Sequence, residues 1–168
     1  LVLTARSGTP MREIQAALAE KNQHLAFEPM TAGRLLGNSN DQGSIGGVLA
    51  ANLSGPRRPS AGAARDHFLG FTAVNGLGED FKAGGKVVKN VTGYDLPKLL
   101  AGSMGTLAAL TEVTVKVLPA PEKQRTVLVP VPDSATGRRH LVPLLEGAMA
   151  IDGAACLPAR VAARSSVD

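Results

Sequence analysis

Two stretches of this 168-residue chain carry residue types that could do chemistry. The first is Gly43-Ser44-Ile45-Gly46-Gly47-Val48-Leu49-Ala50-Ala51-Asn52, with Leu53-Ser54-Gly55 close behind. Adjacent glycines let backbone N–H groups approach a ligand with no β-carbon between them. If Gly46-Gly47 opens a helix, its free amides and positive dipole end suit a phosphate or an electron-rich ring edge. Ser44 adds a hydroxyl, and the small Ala50 and Ala51 leave room for a flat ligand. The same residues serve equally as a Gly-rich turn before a packed helix. The second stretch is Lys89-Asn90-Val91-Thr92-Gly93-Tyr94-Asp95-Leu96, followed by Gly102-Ser103-Met104-Gly105-Thr106-Leu107. Two glycine turns bracket a short helix here, and Tyr94 reads as a core aromatic with a satisfied hydroxyl.

Several chemistries are excluded. The first two glycines, Gly43 and Gly46, are three apart and no acidic residue follows a clear βα unit, so this is not the GxGxxG dinucleotide fingerprint. A GK[ST] triplet is absent, so there is no P-loop. The single Cys156 gives no intramolecular disulfide, no CxxC metal site and no iron–sulfur cluster held within the chain. The net charge is +4, but the excess sits in Arg57-Arg58, Arg138-Arg139 and Arg160/Arg164. There is no basic stripe interleaved with aromatics, so nucleic-acid binding is not expected. No apolar run approaches the roughly 20 residues a membrane span needs, and no signal peptide is recognisable.

The elements that must position these stretches can be read from pattern. Leu1–Ala5 is a strand. Thr9-Pro10 announces a helix, with Thr9 capping and Pro10 at the first position. Met11, Ile14, Ala17 and Leu18 give that helix an apolar face. His24–Phe27 reads as a second strand, closing a strand–helix–strand unit. Gly33 to Gly62 holds a turn and a short buried helix. Phe68–Val74 is a strand, Asn75-Gly76 a hairpin turn, and Phe81-Lys82 begins the return strand. Lys86–Asn90 is another short strand, and Asp95 caps the helix that contains Pro97. In Thr111–Leu118, Val113, Val115 and Val117 alternate with Thr114 and Lys116, which is the clearest strand of all. Pro119-Ala120-Pro121 marks a domain boundary. A strand at Thr126–Val131 and a helix near Leu141–Met149 follow, then a patternless tail from Ala154. Aromatics are only 3% of the chain, so the core is expected to be Leu, Val, Ile and Ala. The fold class is α+β, because strands and helices do not alternate regularly enough for a wound parallel sheet.

Four ordered blocks carry a resemblance. They are Ser44-Ile45-Gly46-Gly47 with Ala50, Asn52 and Gly55; Ala64-Arg65-Asp66-His67-Phe68-Leu69-Gly70; Lys89-Asn90 with Thr92-Gly93-Tyr94-Asp95-Leu96; and Gly102-Ser103 with Gly105-Thr106-Leu107. Together they resemble the FAD-binding (PCMH) domain of the vanillyl-alcohol oxidase type, in the branch holding glycolate oxidase and D-lactate dehydrogenase. Phe27-Glu28-Pro29, Leu53–Arg58 and Val87–Val91 look most like the FAD-binding E subunits of glycolate oxidases. The resemblance covers about Leu1 to Pro121.

The resemblance implies a domain of two α+β lobes over 1–119, the first lobe incomplete. The start of a ferredoxin-like substrate or cap domain would then occupy 120–168. It implies FAD, bound non-covalently because His24, His67 and His140 match no flavin-linking position, and no metal. By position, Pro29, Gly43, Ser44, Ile45, Gly46, Gly47, Ala50 and Asn52 should lie along the cofactor, with Gly55 nearby and Gly105 and Leu110 touching it. Lys89 would place a positive charge near a reduced, anionic flavin. The implied activity is oxidation of a small 2-hydroxy acid to the 2-oxo acid, with electrons passing to a partner. The implied partners are a sister flavin subunit and an iron–sulfur subunit, in the cytoplasm or at the inner face of the cell membrane. No catalytic acid or base is assigned. The chain departs from the family pattern too. The expected first phosphate loop lies upstream of Leu1, Gly33–Gly43 is long and polar, Ala108 replaces a usual Gly, and the Ala/Arg/Ser tail is unlike a cap domain. These departures suggest truncation at both ends. They also leave open a vestigial module, retained as an assembly surface without a competent cofactor site.

Overall fold

The computed structural model describes residues 1–30, 33, 43–85, 93–147 and 151–164. The chain divides into two compact units, Leu1–Pro121 and Glu122–Asp168.

In the first unit, β1 (Val2–Arg6) leads to α1 (Met11–Ala19) and β2 (Gln23–His24). After α2 (Ile45–Ala50) come the short turns of helix α3 (Arg58–Ala61) and α4 (Ala64–His67). Next are β3 (Phe68–Val74), β4 (Asp80–Gly84), α5 (Leu96–Leu100), β5 (Ala109–Lys116) and β6 (Leu118–Pro119). Four strands form one antiparallel sheet in the order β1-β5-β3-β4. The strand–helix–strand unit expected at the start does not close on itself: β2 pairs with β6, far along the chain, and not with β1. The residues expected to extend β2, Leu25 to Phe27, turn into the core instead.

The period-2 pattern of β5 holds. Val113, Val115 and Val117 are buried on the face that meets α2. Thr114, on the other face, is also buried, and its hydroxyl meets that of Thr4 across the β1–β5 ladder at 3.0 Å. The aliphatic core expected from composition is incomplete as a description. Phe27, Phe68 and Phe71 join Met11, Ile14, Ile45, Leu49 and the valines in one cluster. The cluster is still mostly Leu, Val, Ile and Ala, but three of the five aromatics are buried in it, and each of them buries a large area.

Local signals explain the elements. Asp95 caps α5, its Oδ1 accepting from the Lys98 amide at 3.4 Å, and Pro97 sits in the first turn. Thr9 does not cap α1. Pro10 occupies the cap position in extended backbone, bridged to Ser44, and the Met11 amide donates to Gly43 O at 3.0 Å. The β3–β4 hairpin forms, but its turn is not a two-residue one. Asn75 Oδ1 accepts from the amides of Leu77 and Glu79, and the positive φ falls on Gly78. The expected strand at Lys86–Asn90 lies outside the described residues.

In the second unit, α6 spans Ser134–Glu146 and α7 spans Ala159–Ala162. The expected strand at Thr126–Val131 does not form: the segment is irregular, with Val127, Leu128 and Val129 exposed. Pro130 and Pro132 remove ladder donors, and no strand among the described residues pairs with it. The helix expected near Leu141–Met149 begins earlier because Asp133 caps it, accepting from the Thr136 amide at 2.7 Å.

Candidate functional site

The site residues expected from sequence fall on α2, on the turn after α5 and at the start of β5. One residue outside those blocks joins them. Ser7, just past β1, donates its amide to Thr111 O at 3.0 Å and its hydroxyl to Leu110 O. Its own carbonyl accepts from the Gly46 amide at 2.8 Å. The opening of α2 and the opening of β5 are therefore fastened to one residue. Ser7 was not singled out from sequence; its only local signal was its place in the polar Ser7-Gly8-Thr9 turn between an apolar strand and a helix.

The start of α2 differs from the expected anion site. The helix begins at Ile45, and its first amides are engaged. Ile45 N donates to Thr9 O at 3.0 Å, Gly46 N to Ser7 O, Gly47 N to Ser44 Oγ at 3.2 Å, and Val48 N to Ser44 O at 3.0 Å. A helix N-terminus attracts phosphate through unpaired amides, and here the fold itself pairs them. The expectation of free amides at Gly46-Gly47 is thus corrected.

The glycines divide into two kinds. A β-carbon on Gly46 would lie 2.5 Å from Ser7 Cβ, and one on Gly55 would lie 2.7 Å from both Glu28 Cβ and Glu28 O. These two allow close packing within the protein. In contrast, a β-carbon on Gly43 or Gly105 would meet nothing within 4 Å, and one on Gly47 only Ser44 Oγ at 3.4 Å. Gly43 and Gly105 also hold positive φ, at 73° and 76°. Gly43, Gly47 and Gly105 are exposed and present bare backbone at the surface.

The far end of α2 is tied to the second block. Gly102 N donates to Leu49 O at 3.2 Å and Met104 N to Ala50 O at 2.9 Å, so the 102–105 turn hangs on the last carbonyls of α2. Asn52, at φ 52°, accepts from the Arg65 amide through Oδ1 at 2.9 Å, and Ser54 Oγ accepts from the Ala64 amide at 2.9 Å. Both anchor α4 to the end of α2. Glu28 fastens the same region from another side: Gly55 N donates to Phe27 O at 2.9 Å, and Glu28 Oε2 accepts from Arg57 N at 3.2 Å. Pro29 follows Glu28, whose φ of 49° is unusual before a proline. Pro29, Glu28 and Pro56 line one side of a cleft with Gln15, Leu18 and His24.

Tyr94 is not a core aromatic. It is 91% exposed, because Gly93 at φ 95° turns the chain outward before the Asp95 cap. Lys89 lies outside the described residues. His67 is 3% exposed; its Nε2 meets Ala61 O at 2.8 Å, its ring is 5.4 Å from that of Phe27, and its buried Nδ1 has no hydrogen-bond partner. Among the described residues, no group of three or more His, Cys, Asp or Glu could hold a metal. No helix among them is long and apolar enough to cross a membrane.

FAD can be tested against this surface. The bare backbone at Gly43, Gly47 and Gly105 and the small Ala50 suit close contact with a flat ring system, and no acidic side chain lies in the first turn of α2. The residues present therefore fit the cofactor as one wall of a site, with backbone other than the α2 amides left to hold its phosphates.

Comparisons with known proteins point the same way. A model of the FAD binding domain family matches residues 1–84. The chain is 46% identical over 121 residues to glycolate oxidase subunit GlcE of Escherichia coli (strain K12), which covers 72% of this chain and 33% of that protein. It is 42% identical over 85 residues to glycolate oxidase subunit GlcD of Bacillus subtilis (strain 168), covering 51% of this chain and 18% of that one. It is 40% identical over 87 residues to a D-lactate dehydrogenase of Anaerostipes hadrus, covering 52% and 18%. The chain thus spans a third or less of the length of these relatives. Among solved structures, an alkyldihydroxyacetonephosphate synthase superposes with a TM-score of 0.55 at 23% identity, over 73% of this chain and 20% of that one. That likeness supports the fold.

Proposed function

Starting from the fact that the chain belongs to the FAD binding domain family, we propose that it supplies one wall of the flavin site in a glycolate oxidase-like complex. The reaction is oxidation of a small 2-hydroxy acid to the 2-oxo acid, with electrons leaving through a partner subunit. When bound, FAD supplies the hydride acceptor; the protein binds, orients and shields it. Residues 1–119 are the cofactor-binding part and residues 120–168 open a substrate-side domain. The partners are a sister flavin subunit and an iron–sulfur subunit, with the complex in the cytoplasm or at the inner face of the cell membrane.

Within the wall, the expected residues take different tasks. Gly43, Gly47, Ala50 and Gly105 present backbone or small surface to the cofactor, with Pro29 and Ser44 at its margin. Ile45, Gly46, Asn52, Gly55 and Leu110 hold that surface in place from behind. The observation that carries the reading is the pairing of bare glycine backbone at Gly47 and Gly105 with the hydrogen bonds that hang the 102–105 turn on α2. Those bonds tie two sequence blocks more than fifty residues apart to one another, which supports reading them as parts of one wall.

One observation favours a second reading. The internally paired amides at the start of α2 are what an assembly module without a cofactor would also show. Visible absorbance and equilibrium dialysis of the purified chain with FAD decide between the two. Saturable binding with a shifted flavin spectrum supports the first reading; no binding at high micromolar FAD leaves the assembly module.

A further inference from the structure

Asn75 is the only asparagine of the chain that is followed by a glycine. In such a pair the following amide nitrogen can attack the side-chain carbonyl carbon, and glycine puts no side chain in its way. The Gly76 amide donates to no acceptor among the described residues, and a β-carbon there would meet nothing within 4 Å. The nucleophile is therefore open, but its target is clamped. Asn75 Oδ1 accepts from the Leu77 amide at 2.9 Å and the Glu79 amide at 3.0 Å, and Nδ2 donates to Glu79 Oε2 at 2.8 Å. The main chain is fastened too, Asn75 N donating to Glu79 O at 3.0 Å and Gly78 N to Asn75 O at 3.1 Å. Attack requires the carboxamide to turn back onto Gly76 N in an aligned, close approach, and these bonds hold it on groups further along the chain. The clamp itself is weakly anchored. Residues 76–80 are exposed, Leu77 is 83% exposed, and β4 pairs with β3 alone among the described strands. Such a tip opens at far lower cost than a core does.

We propose that Asn75 is a self-modification site gated by the β3–β4 hairpin, converting to aspartate or isoaspartate when the tip opens while the core stays folded. The Gly76 nitrogen forms a bond to Asn75 Cγ and gives up its proton. The Cγ–Nδ2 bond breaks, and Nδ2 leaves with that proton as ammonia. Water then adds to either carbonyl of the five-membered imide and breaks one carbon–nitrogen bond, with no change of oxidation state. In isoaspartate the main chain is one methylene longer, so the two main-chain bonds that close the turn no longer match. In aspartate the Nδ2 donor is gone, and a carboxylate faces that of Glu79. Either product weakens the turn that guarded its precursor. The chemistry at Asn75 needs no flavin.

The test incubates the full chain and follows the peptide containing Asn75 by mass spectrometry, separating aspartate from isoaspartate. In buffer, deamidation at Asn75 should run roughly ten- to a thousandfold slower than in denaturing urea, because three side-chain bonds are made in the fold and lost in urea. Urea below the global transition, followed by far-ultraviolet circular dichroism, should already raise the rate. Glu79→Ala removes the acceptor of Nδ2 and should deamidate about two- to tenfold faster when folded, but at the wild-type rate when unfolded. Gly76→Ala should slow the reaction in both states. Hydrogen exchange at the Leu77 and Glu79 amides should be faster in the isoaspartate product than in fresh protein. Equal rates in buffer and denaturing urea would mean that the hairpin guards nothing. A rate that rises only with global unfolding would mean that the tip does not open by itself. An unslowed reaction in Gly76→Ala would mean direct hydrolysis without attack by the next amide. Any of these three results overturns the proposal.

Discussion

Gly46 lies so close to Ser7 that there is no room for a β-carbon, and its amide donates to the Ser7 carbonyl at 2.8 Å. The contact joins the helix that opens the candidate flavin wall to the end of the first strand. Replacing Gly46 with alanine must move α2 or Ser7, because the nearest atoms include backbone. Overpacking of this kind costs about 1–3 kcal/mol. Urea denaturation of Gly46→Ala should show that loss with or without FAD, so loss of flavin in this variant would report a displaced wall.

Gly47 gives the opposite expectation. Its β-carbon position is open apart from Ser44 Oγ, and it sits within α2 with no positive φ. Alanine there should stabilise the free protein by about 0.5–1 kcal/mol through helix propensity. The added methyl projects from the proposed contact surface and should weaken FAD binding. Fluorescence titration with FAD, set beside the unfolding curve, reads both signs; unchanged affinity would remove Gly47 from the wall.

The contrast between these neighbours shows what the sequence could and could not reveal. Alternation in Val113, Val115 and Val117 and the Asp95 cap were legible because they depend on residues a few positions apart. The different tasks of Gly46 and Gly47 were not, since one is decided by Ser7, thirty-nine positions upstream. Ser7 itself bonds to Leu110 across 103 positions. Thr126–Val131 has strand composition, yet composition does not supply a pairing partner. An aromatic such as Tyr94 suggests burial, whereas Gly93 turns it outward. The candidate site was legible as a set of residues, but which of them face outward and which hold the others required the fold.

Asn52 joins the end of α2 to α4. Its φ of 52° suits asparagine, and its Oδ1 satisfies the Arg65 amide. Asn52→Ala loses both properties and should destabilise by about 1–2 kcal/mol. Asn52→Asp keeps an oxygen acceptor and tolerates the same backbone, so it should recover most of that loss. Hydrogen exchange at the Arg65 amide is the specific check: fast in Asn52→Ala and protected in Asn52→Asp. Equal protection in both would mean the side-chain bond does not hold α4.

The cap of α6 carries a pH dependence of known sign. The Asp133 carboxyl is held below the ordinary carboxylate range, chiefly by hydrogen bonds from the backbone and side chain of Thr136. A folded-state value lower than the unfolded one means the cap's contribution is present above the unfolded value. It is lost as pH falls through the lowered folded value. The Thr136 amide shift, followed by NMR on acidification, should therefore move only once the pH drops beneath the usual range for aspartate. In Asp133→Asn the side-chain oxygen still caps but cannot titrate, so that transition should vanish while the helix remains. If Thr136 titrates identically in Asp133→Asn, another carboxyl governs the start of α6.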